Sequence, residues 1–398
     1  MSELNDRLLP GTRRSMMSVK SAPIVIIGFN RAEYLERVLH SLATQEVNVS
    51  DRGVYFFQDG AVNAYSGIRY ADDNDLASCR DLFLKYFPSG IIHASEKNIG
   101  ICENFDRAES FVFNELKVEV AYFFEDDMLL SPFYVEALDR VWVAVSQSDR
   151  IGYFAAYGDH QATKSEQENR IRDLIKLEHH WGFGLTRRHW LEMKERLSGY
   201  YDIVVGKDYR QRDQAAIRKW QISLGYAHDA ISQDGAKALA TNLLGRTRVM
   251  TFACWAKYIG EVGSHWNEKT YRDQGFADTN VMDHIPDGFE LPSEEALDGF
   301  IQDERKHFRS VWLRVLGKQG ERNAVEKRPV TEMEVRFAYE LLLGRSVESD
   351  QIAIRRAGMS VRDLRDSILT SQEFLSKNVE LVHGLGGELS ERGLLRKS

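Results

Sequence analysis

Short apolar runs alternate with amphipathic stretches over the first third of the chain. Four of these runs are apolar on both sides of a pleat, which predicts strands buried on both faces: 23–29, 53–57, 90–94 and 121–124. Residues 32–43 carry one helical apolar stripe, and a further helix is expected to end near residue 116. The repeated order of strand and helix predicts a doubly wound, parallel sheet.

Three consecutive acids, Glu125-Asp126-Asp127, follow the fourth apolar run directly. Ser131 and Pro132 then have the residue types of a helix N-cap and first helical position. The acids are therefore expected at the carboxyl edge of the sheet, where open α/β sheets bind ligands. Burying adjacent carboxylates is costly, and a hard divalent cation would offset that cost. The alternative is a solvated acidic turn.

Other polar residues are predicted at the same edge. Asn30 and Arg31 follow the first strand, and Asp59 follows the second and precedes Gly60. Asp59 either begins a turn or faces the base or ribose of a nucleotide. The chain has neither Gly-x-Gly-x-x-Gly nor a P-loop, which argues against a dinucleotide fold and a P-loop NTPase.

The second half of the sheet domain is expected to receive an acceptor. Residues 151–156 predict another strand, and the charged stretch 164–170 is interpreted as a loop, either a lid or a plain insertion. Residues 179–184 combine aromatic side chains, which stack on sugar faces, with glycines that allow close approach. Packing of the aromatic rings in the core is the rival interpretation.

The sequence of the last part of the chain predicts a separate helical module. Prolines and glycine at 278–294 indicate a boundary, followed by a charged helix from 294 to about 315 and a polar linker up to 328. Thr331 and Glu334 form a capping box before an amphipathic helix, and Ser360 and Ser371 begin two more helices.

Composition excludes several function classes. The 398 residues have a formal net charge of -8, which leaves no basic surplus for nonspecific nucleic-acid binding. Three separated cysteines indicate reduced thiols and a cytoplasmic location. No apolar run is long enough to span a membrane, and residues 1–21 have no apolar signal core and are expected to form a mobile arm.

Four motifs in order resemble the donor half of GT-A glycosyltransferases: residues 24–31, Gln58-Asp59-Gly60, Asn98-Ile99-Gly100 and Glu125-Asp126-Asp127. The likeness is greatest to the N-acetylglucosaminyltransferase I group. A set of bacterial sugar transferases is also similar, through Trp181-Gly182 and Trp190. The resemblance covers about residues 22–285. It implies an α/β fold, a Rossmann-like mixed sheet flanked by helices, with a nucleotide-sugar half at 22–130 and an acceptor half at 131–290.

The resemblance also implies roles for residues. Asp127 would ligate Mn²⁺ or Mg²⁺ bound to the diphosphate of a nucleotide-sugar, and Glu125 and Asp126 would contact the sugar and the ribose. Asp59 would bind uracil, with Asn30, Arg31 and Asn98 near the nucleotide and Trp181 and Gly182 near the ligand. These roles favour a UDP-sugar donor and a glycan, lipid-linked glycan or protein acceptor.

An inverting transfer needs a base, which in the resembled families is an acid near a helix start beyond the Trp-Gly stretch. Asp208 and Asp213 are the candidates and Asp213 is preferred, although a carboxylate there is often only a helix cap. His265 lies in a segment that resembles a Gly-x-x-Gly-x-His loop of the bacterial group. It is either a metal or diphosphate ligand or a structural residue.

The expected organisation ends with a helix and linker at 291–328 and a small all-α domain at 329–398. That last domain resembles a helical domain of unsettled function on bacterial surface-polysaccharide proteins, and is expected to mediate protein contacts or oligomerisation. The sequence leaves two alternatives to a glycosyltransferase. A sugar-nucleotide pyrophosphorylase is disfavoured because Gly28-Phe29-Asn30-Arg31 replaces its Gly-rich loop. The second alternative is a non-catalytic scaffold protein that binds a nucleotide or a glycan through a degenerate GT-A domain.

Overall fold

A mixed eight-stranded sheet organises the larger part of the protein. The computed structural model describes residues 22–261, 268–322 and 328–377. Its strands are β1 (Ile24–Gly28), β2 (Val54–Gln58), β3 (Ile91–Ala94), β4 (Val120–Glu125), β5 (Met128–Leu130), β6 (Ile151–Ala155), β7 (Leu174–Lys176), β8 (Phe183–Thr186), β9 (Thr247–Thr251) and β10 (Ala256–Tyr258). The large sheet has the order β3-β2-β1-β4-β8-β6-β9-β7, and β5 pairs with β10 in a small antiparallel sheet.

The first half of the sheet is parallel, as the apolar runs predict. β1 pairs in parallel with β2 and β4, and β2 pairs in parallel with β3. All residues of β1 are buried, and they alternate between two cores: Ile24 and Ile26 pack on one face, Val25 and Ile27 on the other. The chain therefore passes from β3 to the far side of β1 before it forms β4, which makes the β1–β4 crevice the point where strand order reverses.

The second half is mixed. β8 lies antiparallel between β4 and β6, β6 and β9 are parallel, and β7 closes the edge antiparallel to β9. The strand predicted at 151–156 is confirmed as β6. β8 was not predicted, because Gly184 was interpreted only as a residue that allows a ligand to approach. Gly184 instead lies against the ring of Phe154 on the neighbouring strand, where an added Cβ would approach to 2.2 Å.

Helices cover the sheet and follow most strands. In the described residues they are α1 (Ala32–Ala43), α2 (Asp73–Tyr86), α3 (Gly100–Ser110), α4 (Tyr134–Val145), α5 (Lys164–Asn169), α6 (Arg187–Arg196), α7 (Ser198–Val204), α8 (Gln214–Ser223), α9 (Gln233–Leu243), α10 (Glu268–Asp273) and α11 (Glu294–Arg322). The α/β class with a mixed sheet flanked by helices is therefore confirmed.

The helix predicted from Ser131 starts later than expected. Residues 128–130 form β5, and the Ser131 amide donates to the Trp255 carbonyl at 2.7 Å, which holds this residue beside β10. α4 consequently begins at Tyr134 with Phe133 at the N-cap. The Ser131 hydroxyl accepts from the Phe133 amide at 3.3 Å and so stabilises the turn before the helix.

The prediction of a loop at 164–170 is wrong, because residues 164–169 form α5. Thr163 and Glu166 make a capping box with both reciprocal hydrogen bonds. Gln167 is buried and its side chain bonds the Ala162 and Asn280 carbonyls and the Cys254 amide. These bonds anchor the segment, which argues against a lid.

The described residues divide into two compact units, with the boundary between Trp312 and Leu313. The second unit has the helices α12 (Glu332–Leu343), α13 (Asp350–Arg356), α14 (Val361–Leu369) and α15 (Gln372–Lys377). The capping box of Thr331 and Glu334 is confirmed, and Val335, Tyr339 and Ile368 lie in the core of the unit. The small all-α unit is thus confirmed, and α13 is an addition to the prediction. Throughout the described residues, no helix combines the length and apolarity that a membrane span requires.

Candidate active site

The acidic triplet lies at the reversal point of the sheet. Glu125 ends β4, and Asp126 and Asp127 form the turn into β5. The Ile259 amide donates to the Asp127 carbonyl at 2.8 Å, next to the pairing of β5 with β10. The turn is therefore held from both sides, and its carboxylates lie at the sheet edge where α/β proteins bind ligands.

Arg31 links β1 to this turn. Its Nε donates to Asp126 Oδ2 at 3.1 Å, and its Nη2 contacts Asp126 Oδ1 and also donates to Asp127 Oδ2 at 2.9 Å. The guanidinium thus bridges two carboxylates, although it lies 95 residues from Asp126 in the sequence. These contacts confirm the prediction that Arg31 lies close to the acids. Asn30 is half-buried beside it.

The electrostatics of the turn are those of a negatively charged, largely desolvated site. Burial raises the pKa of Glu125 well above its ordinary value, and the charges of Asp127, Asp234 and Asp126 add to the effect. Burial and the charge of Asp126 also raise the pKa of Asp127, against the influence of Arg31. The acids outnumber the guanidinium that contacts them, so the site favours an additional cation.

A metal would find oxygen donors here but not a preformed cage. No group of three or more His, Cys, Asp or Glu side chains in the described residues is arranged to hold a metal ion. The carboxylates of the turn are nevertheless the hard ligands that Mn²⁺ and Mg²⁺ take, and one Asp127 oxygen is occupied by Arg31. The donor chemistry fits a divalent cation once that oxygen is released. His265, the other predicted ligand, lies outside the described residues.

Asp59 has a structural set of contacts. Its two carboxylate oxygens accept from the amides of Gly60, Ile99 and Gly100 and from the Asn98 side chain, at 2.8–2.9 Å. Burial raises the pKa of Asp59, and the three amide donors oppose this rise. Because four donors use the lone pairs of the carboxylate, Asp59 ties the loop after β3 to the end of β2.

A cavity opens beside this loop. It has a volume of about 260 Å³ and lies between the residues that follow β2 and those that follow β3. Its lining includes Gly60 and Lys97 from the two loops, Arg69, and Leu76 and Arg80 from α2. Arg80 donates to the Gln58 side chain at 2.8 Å, which fixes one wall against β2. The cavity is therefore polar, and its lining carries charges of both signs.

Trp181 is packed between two other rings. His179 stacks on it at 4.3 Å between ring centroids with an interplanar angle of 7°, and Tyr258 stacks at 4.1 Å with an angle of 8°. Tyr258 adjoins the acidic turn: burial raises its pKa, and the charges of Asp127 and Glu125 raise it further. Both faces of Trp181 are covered, so a sugar cannot stack on this ring. The geometry favours the packing interpretation for Trp181.

Gly182 is required by close packing next to this stack. It has a φ of 54°, in the left-handed region, and its carbonyl accepts from the Tyr134 hydroxyl at 2.6 Å. A Cβ at this position would lie 2.7 Å from that hydroxyl oxygen. Glycine is therefore needed for the backbone rather than for contact with a ligand.

Removal of the Trp181 ring should destabilise the fold. We expect Trp181→Ala to lower the free energy of unfolding by about 3 kcal/mol, because the rings on both sides lose their partner. Trp181→Phe keeps an aromatic ring and should cost about 1 kcal/mol. Urea denaturation followed by circular dichroism measures both values. Equal stability of Trp181→Ala and wild type would contradict the packing role.

Asp208 and Asp213 are both engaged in local structure. Asp208 is buried and accepts from the hydroxyls of Ser66 and Tyr70 and from the Arg210 amide. Burial alone would raise the pKa of Asp208, but these hydrogen bonds outweigh it and the pKa is lowered. The Asp213 carboxylate caps α8 by accepting from the Ala216 amide at 2.9 Å.

Asp234 is an acid near the turn that the sequence reasoning missed. It lies in the first turn of α9, after the N-cap Ser232, and its side chain is exposed. Its charge contributes to the raised pKa of Glu125, which places it within electrostatic range of that residue. An acid two residues after a capping serine was visible in the sequence, but nothing there indicated that α9 begins within electrostatic range of Glu125.

No protein-family model matches the chain, and no curated protein matches it. Among solved structures, it is similar to the mannosyltransferase PcManGT from Pyrobaculum calidifontis in complex with GDP-Man and Mn²⁺. The identity is 11%, the TM-score 0.40, and the match covers 90% of this chain and 87% of that one.

A second similar structure is GalNAc-T7 with UDP, GalNAc and Mn²⁺, at 11% identity and a TM-score of 0.36. That match covers 62% of this chain and 45% of the other, so the chain spans less than half of that structure. Both TM-scores lie below 0.5. The fold is therefore defined by the sheet order and helices of this chain rather than by these likenesses.

Proposed function

We propose that the protein is a metal-dependent GT-A glycosyltransferase that moves a sugar from a nucleotide-sugar, of the UDP class, to a glycan, lipid-linked glycan or protein. The observation that carries this proposal is the acidic turn at the β1–β4 reversal point, with Arg31 bonded to it. A carboxylate turn and a guanidinium at this edge suit a phosphate-bearing ligand and a cation. The proposal includes the kinship with the N-acetylglucosaminyltransferase I group and with bacterial polysaccharide enzymes that the motifs suggest.

Asp127 is the proposed ligand for Mn²⁺ or Mg²⁺, with Glu125 and Asp126 beside the sugar and ribose. His265 is kept as a second ligand on the sequence resemblance alone. When bound, such a cation would stabilise the negative charge that develops on a departing nucleoside diphosphate. Arg31 is suited to the same charge, because its guanidinium can donate to two phosphate oxygens.

We propose Asp234 as the base that accepts the proton from the acceptor hydroxyl in an inverting transfer. Its exposed carboxylate can meet an acceptor, and it lies within electrostatic range of Glu125. Asp208 and Asp213 stay predictions from the sequence, but their hydrogen bonds support structural roles. Asp59 and Asn98 are proposed to shape the loop beside the base, and the cavity next to Gly60 is proposed to receive part of the nucleotide.

The transferred unit is proposed to be a hexose or an N-acetylhexosamine, and the location to be cytoplasmic. No nucleic-acid partner is proposed, because the chain has more acidic than basic residues. We propose no catalytic role for the C-terminal helical unit. Its role in protein contacts or oligomerisation stays a prediction from the sequence.

Calorimetric titration of nucleotides tests the donor class. We expect UDP to bind in the presence of Mn²⁺ and to bind much more weakly without it, with GDP and CMP as controls for the base. If GDP binds in a metal-dependent manner and UDP does not, the proposed transferase activity would stand and the proposed donor would become a GDP-sugar. Absence of metal-dependent binding for every nucleotide would contradict the proposal. Binding without sugar transfer or donor hydrolysis, in the presence of acceptors, would favour the scaffold alternative.

A further inference from the structure

Arg31 is bonded to the carboxylates of the acidic turn that a cation would need as ligands. Its Nη2 donates to Asp127 Oδ2 at 2.9 Å while the same nitrogen and Nε hold both oxygens of Asp126. One terminal nitrogen is thus shared between two carboxylates. The side chains of Asp126 and Asp127 are 7% and 11% exposed, so both carboxylates to which the guanidinium is bonded are nearly buried.

The Arg31 side chain itself is accessible. It is 31% exposed, compared with 7% and 11% for the two carboxylates, and its guanidinium lies 5.2 Å from the centre of the Tyr34 ring. Arg31 is also at the N-cap of α1, where the chain leaves the sheet, and its carbonyl accepts from the Leu35 amide at 2.9 Å. The backbone is therefore fixed, while the charged end can reach toward an anion at the sheet edge.

We infer that Arg31 is an exchangeable counter-ion, which bonds Asp127 in the absence of donor and moves its Nη2 to the diphosphate of an arriving nucleotide. This inference rests on the proposed function, because it takes a nucleoside diphosphate and a divalent cation as the ligands. The exchange frees one Asp127 oxygen at the moment when the nucleotide brings new negative charge. Cation and nucleotide then bind cooperatively, and the cation alone binds weakly.

The charges of the site support an exchange rather than a permanent bond. Loss of the Arg31 contact leaves the carboxylates of the turn uncompensated, which is costly unless a cation replaces the guanidinium. A diphosphate in turn accepts two parallel hydrogen bonds from arginine, so Arg31 gains a partner when it leaves Asp127. Arg31 and Asp127 therefore each have a partner of opposite charge both before and after binding.

The test measures Mn²⁺ binding by electron paramagnetic resonance of the free ion, with and without UDP. In the absence of nucleotide, Arg31→Met is expected to bind Mn²⁺ at least tenfold tighter than wild type, because the competing positive charge is gone. UDP is expected to increase the Mn²⁺ affinity of wild type by at least tenfold more than it increases that of Arg31→Met. Arg31→Lys keeps the charge and should bind Mn²⁺ alone within about threefold of wild type.

Arg37→Met is the matched control, because Arg37 is exposed on the same helix and contacts none of the described acids of the turn. It removes an equal charge and should leave Mn²⁺ binding within about threefold of wild type. Equal or weaker binding of Mn²⁺ to Arg31→Met, with a circular dichroism spectrum and melting temperature like wild type, would overturn the inference. If UDP binds to no variant, the proposed function fails, whereas the comparison of Mn²⁺ alone still decides whether Arg31 is a counter-ion.

Discussion

Replacement of Asp127 by asparagine is expected to weaken the binding of UDP in the presence of Mn²⁺ by about 100-fold. Loss of a residue that only supports a metal ligand weakens metal binding by up to about 100-fold, and loss of a direct ligand should have at least the same effect. Asparagine has nearly the same volume as aspartate but no charge. The backbone carbonyl of residue 127 can therefore keep its bond to the Ile259 amide in the variant. Calorimetry with and without Mn²⁺ measures the effect.

The variant separates metal-dependent from metal-independent affinity. Without Mn²⁺, Asp127→Asn should bind UDP about as weakly as wild type, because the ligand that the substitution removes is then not in use. Asp51→Asn is a suitable control, since Asp51 is exposed near the start of β2, at the opposite end of the strand from the site. Unchanged, Mn²⁺-dependent binding of UDP to Asp127→Asn would remove the central support for a metal at this turn.

The donor half could be predicted from the sequence because its signals are local. Each parallel strand is an uninterrupted apolar run, and parallel strands bring the residues that follow them to one edge. That rule alone placed Arg31 near the acidic triplet, although the two are far apart in the chain. The physical basis is topology, which needs no knowledge of side-chain positions.

The acceptor half was harder because its structure depends on contacts between distant segments. β8 is a strand because it pairs with β4 and β6, and its own four residues include a glycine. Trp181 is covered by His179 and by Tyr258, which comes from a later strand. Neither pairing leaves a periodic trace in the sequence.

The roles of individual acids were the least predictable feature. Asp59 follows a strand, as a nucleotide-binding acid would, yet its carboxylate accepts from four donors, three of them in the loop after β3. Asp213 precedes a helix, and the same position suits a base or a cap. Only the spatial neighbours separate these possibilities, and among these acids it is the charge of Asp234 that acts on Glu125.

The strongest effect on turnover is expected for Asp234→Asn. If Asp234 takes the proton from the acceptor hydroxyl, the loss of a base should lower the rate of sugar transfer by about 10²–10⁴-fold. Binding of UDP with Mn²⁺ should change by less than about twofold, because the carboxylate is assigned to the acceptor and not to the donor. A nucleotide-release assay with a panel of sugar nucleotides and acceptors measures the rate, and calorimetry measures the affinity.

The two acids predicted from the sequence provide matched comparisons. Asp213→Asn should leave transfer unchanged and cost less than about 0.5 kcal/mol of stability, because asparagine caps helices nearly as well as aspartate. Asp208→Asn disturbs a buried acceptor of several hydrogen bonds and should cost about 1–3 kcal/mol of stability, with transfer reduced only as far as folding is. Loss of transfer in a stable Asp213→Asn, together with an active Asp234→Asn, would assign the base to Asp213. The proton would then leave the acceptor at the start of α8 and not at the start of α9.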